Sequence, residues 1–143
     1  MKPLLLALAI LAVAAPAAYA ARFRGQTEQN RRAAVITRDG LPARITIHWR
    51  AECGSGHVID DTSFLSPFKE SSASFVRDGG SYTTRIHDED GKAFRLHVNA
   101  RVRAHRVSDD EWRGRFRADS EVRRNDELIT RCHTGRIRWS ATR

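Results

Sequence analysis

Between Phe94 and Ala104 every second residue is apolar: Phe94, Leu96, Val98, Ala100, Val102 and Ala104 are separated by Arg95, His97, Asn99, Arg101 and Arg103. Successive side chains leave a strand on opposite sides, so strict alternation marks a strand with one buried face; a helix repeats about every 3.6 residues instead. After Ser108-Asp109-Asp110 the pattern resumes. Trp112, Gly114, Phe116, Ala118, Ser120 and Val122 take one side, and Arg113, Arg115, Arg117, Asp119, Glu121 and Arg123 the other. Two such segments around a turn of Ser and Asp form a long antiparallel hairpin. With the turn centred near Asp109, opposed residues carry numbers adding to about 218, within about two positions. This register sets His105 against Arg113, Arg103 against Arg115, Arg101 against Arg117, and His97 against Glu121.

Shorter stretches obey the same rule. Ile45, Ile47 and Trp49 alternate with Thr46, His48 and Arg50, and Gly40-Leu41-Pro42 reads as the turn joining them to a strand over 33–38. Segments 72–77 and 81–87 flank Asp78-Gly79-Gly80, a hairpin signal because glycine accepts positive φ. Asp88-Glu89-Asp90-Gly91 then turns the chain into the Phe94 strand, and Ile137, Trp139 and Ala141 alternate near the C-terminus. The stretch Gly54 to Ser71, with Pro67, is the least regular and reads as a loop crossing between sheets. About seven to nine short strands separated by turns predict an all-β fold, a small antiparallel β-sandwich or partly open barrel. Three tryptophans on apolar faces supply bulk for its core.

At the N-terminus a short basic opening, Met1-Lys2-Pro3, precedes an apolar run over 4–13, then Pro16 and the small-residue site Ala18-Tyr19-Ala20. This is the layout of a secretory signal over 1–20, leaving a single β domain over 21–143. The apolar run is shorter than the roughly 20 residues that a spanning helix needs, so no transmembrane segment is expected in the mature chain. The expected location is exported, periplasmic or extracellular. In such an oxidising compartment the two cysteines, Cys53 and Cys132, form one disulfide. Closing so long a loop contributes roughly 4 to 5 kcal/mol in the chain-entropy description. His57 and His133 lie near the cysteines, but neither spacing matches the paired-ligand pattern of a zinc site, and no metal is expected.

The motifs at the two ends carry a resemblance. Phe23-Arg24-Gly25-Gln26-Thr27-Glu28-Gln29 opens the mature chain, Arg50-Ala51-Glu52-Cys53 and Trp112-Arg113-Gly114-Arg115-Phe116 follow, and Cys132-His133-Thr134-Gly135-Arg136-Ile137-Arg138-Trp139-Ser140-Ala141 closes it. The chain resembles a class of small, Arg-rich, secreted bacterial β-sandwich proteins with two cysteines and a C-terminal Cys-x-Thr-Gly-x-x-x-Trp motif. The resemblance implies a two-cysteine β domain in the envelope or outside the cell. It brings no catalytic residues with it.

No nucleophile elbow, zinc-protease helix, P-loop or dinucleotide fingerprint occurs in the chain, so no enzyme, catalytic residue or cofactor is expected. His87 with Asp88, Glu89 and Asp90 reads as an ordinary turn, because the other ligands of a calcium loop are missing. The charge is more informative. The chain has 25 basic and 17 acidic residues; without Lys2 the mature part keeps 24 basic residues, a net of +7, and Lys69 and Lys92 are its only lysines. In the hairpin register Arg101, Arg103, Arg115 and Arg117 form a basic ladder, and like charges directly opposed destabilise a sheet. Either these arginines are a solvated face, partnered by Asp60, Asp61 or Glu70, or they bind an anionic polysaccharide or envelope polymer through guanidinium–anion contacts. Nucleic acid is not expected, since no aromatics interleave with the arginines for stacking. The function expected is a noncatalytic secreted binding module. The alternative is an inhibitor of a secreted hydrolase, for which Gly54 to Ser71 is the candidate loop. Nothing in the sequence sets an oligomeric state.

Overall fold

The computed structural model describes residues 19–143; the expected signal sequence lies outside the described residues, apart from Tyr19 and Ala20 at its end. Among the described residues the alternation is carried into ten strands and no helix: β1 (Ala20–Thr27), β2 (Arg32–Arg38), β3 (Leu41–Cys53), β4 (Val58–Leu65), β5 (Glu70–Ser72), β6 (Phe75–His87), β7 (Ala93–Ser108), β8 (Glu111–Arg124), β9 (Glu127–His133) and β10 (Ile137–Thr142). All are antiparallel and belong to one sheet, in the order β10-β1-β2-β3-β9-β8-β7-β6-β5, with β4 added to β3. No helix among the described residues is long and apolar enough to cross a membrane.

The inward residues of β7 and β8, among them Leu96, Val98, Val102, Trp112 and Phe116, are fully buried, and Phe23, Val35, Ile45, Ile47 and Trp49 meet them from β1, β2 and β3. Each such side chain contributes about 1.5 to 3 kcal/mol when withdrawn from water. The sheet folds back on itself because β10 pairs with both β1 and β8. It is not a closed barrel. On one edge of β3 the pairing with β2 covers residues 41–47, and β9 returns only at Glu52↔His133 and Cys53↔Cys132. The Cys53–Cys132 disulfide spans this narrow junction. In the gap between β2 and β9 the side-chain amide of Gln29 replaces a strand: it accepts from the Arg50 N–H and donates to the Arg50 carbonyl, both at 2.9 Å.

Three expectations need correction. Asp78-Gly79-Gly80 is no hairpin: β6 runs straight through it, paired with β7 from Phe75↔His105 to His87↔Ala93. Glycine permits a reversal without forcing one, and the long edge of β7 holds these residues extended. The reversal is made at 88–91, where the Asp88 carboxylate accepts from the amides of Asp90 (3.0 Å) and Lys92 (2.8 Å). Second, Gly54 to Ser71 is mostly strand, not crossing loop, because β4 pairs with β3 from Ile45↔Leu65 to Glu52↔Val58. Its inward positions include Asp61 and Ser63, which masked the alternation. Third, the turn before β3 lies at Asp39-Gly40, both with positive φ, and Pro42 is buried inside β3.

Among the described residues the outer edge of β6 beyond Arg77 has no strand partner, and β4 pairs only with β3. Side chains tie these two edges together. The Tyr82 hydroxyl of β6 bonds to Asp61 Oδ2 (2.8 Å) and Ser63 Oγ (2.9 Å) of β4, and Ser63 Oγ accepts from the indole of Trp49 (2.9 Å). Elsewhere the core is tight. A Cβ on Gly114 would lie 2.6 Å from the ring of Trp139, so Gly114→Ala is expected to lower stability by about 1 to 3 kcal/mol in urea unfolding. Removal of the disulfide by Cys53→Ala with Cys132→Ala is expected to lower it by about 4 kcal/mol in the same assay.

Candidate functional site

The pleat that buries the apolar residues of β7 and β8 sends their arginines to the opposite, solvated face. The register is the one expected: Arg101↔Arg117, Arg103↔Arg115, His105↔Arg113 and His97↔Glu121. The ladder also continues past the hairpin. Arg103 is opposed on its other side by Arg77 of β6, and Arg115 by Arg138 of β10. Arg77, Arg103, Arg115 and Arg138 therefore form one row across four neighbouring strands, all exposed. With strands about 4.8 Å apart, the row covers about 14 Å. A carboxylate stands at each end: Glu70 of β5 opposes Arg77, and Glu28 accepts from the backbone (2.8 Å) and guanidinium (3.4 Å) of Arg138.

Neutralisation inside this face is uneven. Arg117 bonds to Asp119 (3.0 Å) and Arg113 to Glu111 (2.6 Å), each two residues away on its own strand. Among the described residues Arg77, Arg101, Arg103 and Arg115 make no ion pair. Two of the carboxylates that could have balanced them are engaged elsewhere, while Glu70 stands opposite Arg77 without an ion pair among the described residues. Asp60 holds Arg31 (2.9 Å) and Arg50 (3.3 Å), and Asp61 holds Tyr82. Glu121 faces His97 but bonds to Arg123 (2.9 Å) and Arg131 (3.4 Å), while His97 Nδ1 bonds to Thr83 (3.0 Å). The guanidinium of Arg123, seconded by Arg131, holds the Glu121 carboxyl below the usual carboxylate value.

Beside the row the face is concave. Gly79 stands opposite Arg101 and carries no side chain, beside a hollow of about 540 Å³ bordered by Lys69, Glu70, Arg77, Arg101 and Arg103. Guanidinium groups present paired N–H donors that match the oxygens of carboxylate, sulfate or phosphate. Arranged on a rigid sheet, they suit a ligand with anionic groups repeated along its length.

The structure brings all four ladder residues, Arg101, Arg103, Arg115 and Arg117, to one face. Arg77, Arg138, Lys69 and the hollow beside Gly79 escaped the sequence reading. Which strands flank a hairpin is set by long-range topology, and treating Asp78-Gly79-Gly80 as a turn severed Arg77 from its neighbour. The buried Val76 beside it, in phase with the inward side of β6, was the available clue. The six histidines scatter: His48 bonds to Thr62, His57 to Ser55, His97 to Thr83, and the others lie on separate strands or turns. Among the described residues no group of three or more His, Cys, Asp or Glu side chains is placed to hold a metal. Comparison with known proteins gives no match: neither a family model, nor a curated protein, nor a solved structure aligns significantly with the chain.

Burial pushes the Tyr82 phenol above its ordinary value, and the Asp61 carboxylate adds to the shift, against the opposing bond to Ser63. A raised folded-state value means that this contribution to stability is present below the ordinary tyrosine value, about 10, and is lost as the pH climbs beyond it. In a chain beginning at Ala21, Tyr82 is the only tyrosine. Its ultraviolet titration is expected to show no phenolate near pH 10 while the protein stays folded; an ordinary transition there would break the Trp49–Ser63–Tyr82–Asp61 chain.

Proposed function

We propose that this protein is a noncatalytic binding module of the cell envelope or extracellular space, and that its arginine face binds an anionic polymer. The observation carrying this reading is the row Arg77–Arg103–Arg115–Arg138, four opposed cations on four strands. Opposed like charges cost about 0.2 to 1 kcal/mol per pair. A polyanion converts that cost into charge-assisted hydrogen bonds. The signal-like N-terminus, the Cys53–Cys132 disulfide and the resemblance to secreted Arg-rich β proteins support a site of action outside the cytoplasm. The alternative, an inhibitor of a secreted hydrolase, would use a protruding loop within Gly54 to Ser71, of which Val58–Leu65 is strand β4 paired with β3.

The test compares heparin, polyphosphate and neutral dextran by titration at about 0.05 and about 0.3 M salt. Heparin or polyphosphate is expected to bind at low salt and weaken at high salt, with dextran silent. The variant carrying Arg101→Ser, Arg103→Ser, Arg115→Ser and Arg117→Ser is expected to lose at least about tenfold in affinity, with Arg77→Ser and Arg138→Ser deepening the loss. Unaltered binding in the quadruple variant removes the ladder from any recognition role.

A further inference from the structure

The two unpaired edges, β4 and β6, part beyond the Tyr82 contact and leave a cleft of about 590 Å³ at the disulfide end of the sheet. Its apolar lining continues the core outward. Ile59, Ile86 and Phe94 are half-buried, Val122 is buried, and Val58 and Ile129 stay 51% and 48% exposed. Such open apolar surface is unusual beside a completed core, and where it occurs it commonly marks a binding groove.

Two further features narrow the occupant. Among the described residues the outer edge of β6 from Asp78 to His87 has no strand partner, so its alternate N–H and C=O groups are open to pairing beside the cleft. The mouth is acidic in an otherwise basic protein. The turn after β6 places Asp88, Glu89 and Asp90 at the rim, with Lys92 next along the chain, the imidazoles of His57 and His87 beside them, and the Arg124 guanidinium 6.0 Å from the ring centre of Phe94 on the floor. Asp88 is committed to capping its own turn, whereas Glu89 and Asp90 are exposed and make no ion pair among the described residues.

We propose that this seam takes an extended polypeptide segment in which apolar residues alternate with lysine or arginine, added as a strand to β6. Alternation would drop one set of side chains onto Ile59, Ile86 and Phe94 and turn the cations toward Glu89 and Asp90, while main-chain bonds to β6 supply the affinity. A lipid-like cation could use the apolar floor and the carboxylates, but not the backbone edge. The site is separate from the arginine face, which would repel such a segment.

The probe is an eight-residue capped peptide alternating Val and Lys, titrated into the full domain and followed by amide NMR and hydrogen exchange. Binding is expected, with slowed exchange over Thr83–His87. An affinity loss of about tenfold or more is expected with Glu89→Lys and Asp90→Lys together, or with the peptide N-methylated at alternate residues. The Arg101→Ser, Arg103→Ser, Arg115→Ser and Arg117→Ser variant is expected to bind the peptide as well as the parent does. The proposal is overturned by no binding, by equal binding of the N-methylated peptide, or by equal binding of a simple alkylammonium. Dimerisation of the free protein through β6, with the peptide excluded, would assign the edge to a second copy and also overturn the proposal.

Discussion

A strand in which every second residue must be buried has no freedom over where the others go, and β7 and β8 are committed to that constraint along most of their length. A slip of one residue in their pairing would bring Leu96, Val98 and Val102 into water and the arginines into the core. Desolvating even one guanidinium without a partner costs several kcal/mol, so the register is strongly specified. The arginine face thus follows from the core: once Leu96, Val102 and Phe116 are inside, Arg101, Arg103, Arg115 and Arg117 are outside and opposed in pairs. The topology that places β6 and β10 beside this hairpin then lengthens one of those pairs into a row of four.

The same sheet has to finish somewhere, and the chain handles its unfinished edges with side chains. Gln29 substitutes for a missing strand along β3, and the Tyr82 hydroxyl joins β4 to β6 where backbone bonds do not. The disulfide secures the two-pair junction of β3 and β9. Each device is local, so the open seam beyond Tyr82 is left as an apolar cleft with an acidic mouth. The molecule consequently carries two surfaces of opposite character, a basic flat face and a smaller acidic-rimmed groove.

Local pattern was legible in the sequence where one face is purely apolar. The β7–β8 hairpin, its register and the strand that holds Trp139 follow from alternation, and the disulfide from an even, minimal cysteine count. Legibility failed where polar residues point inward or glycine is held extended. Asp61 and Ser63 disguised β4 because their partners, Tyr82 and Trp49, lie on other strands. Gly79 and Gly80 mimicked a turn because only the length of β7 decides that they stay paired. The arginine ladder was half visible for the same reason: neighbours within a hairpin can be counted from the turn, whereas Arg77 and Arg138 join through topology.

The arginine row sets like charges directly opposite one another across β6, β7, β8 and β10, an arrangement that costs the fold stability. The unfolding free energy of Arg103→Thr with Arg115→Thr, measured by urea at low salt without any polyanion, tests this most directly. The double variant is expected to be more stable than the parent by a few tenths to about 1 kcal/mol, with heparin stabilising the parent and not the variant. A double variant less stable than the parent, or stabilised equally by heparin, would contradict it.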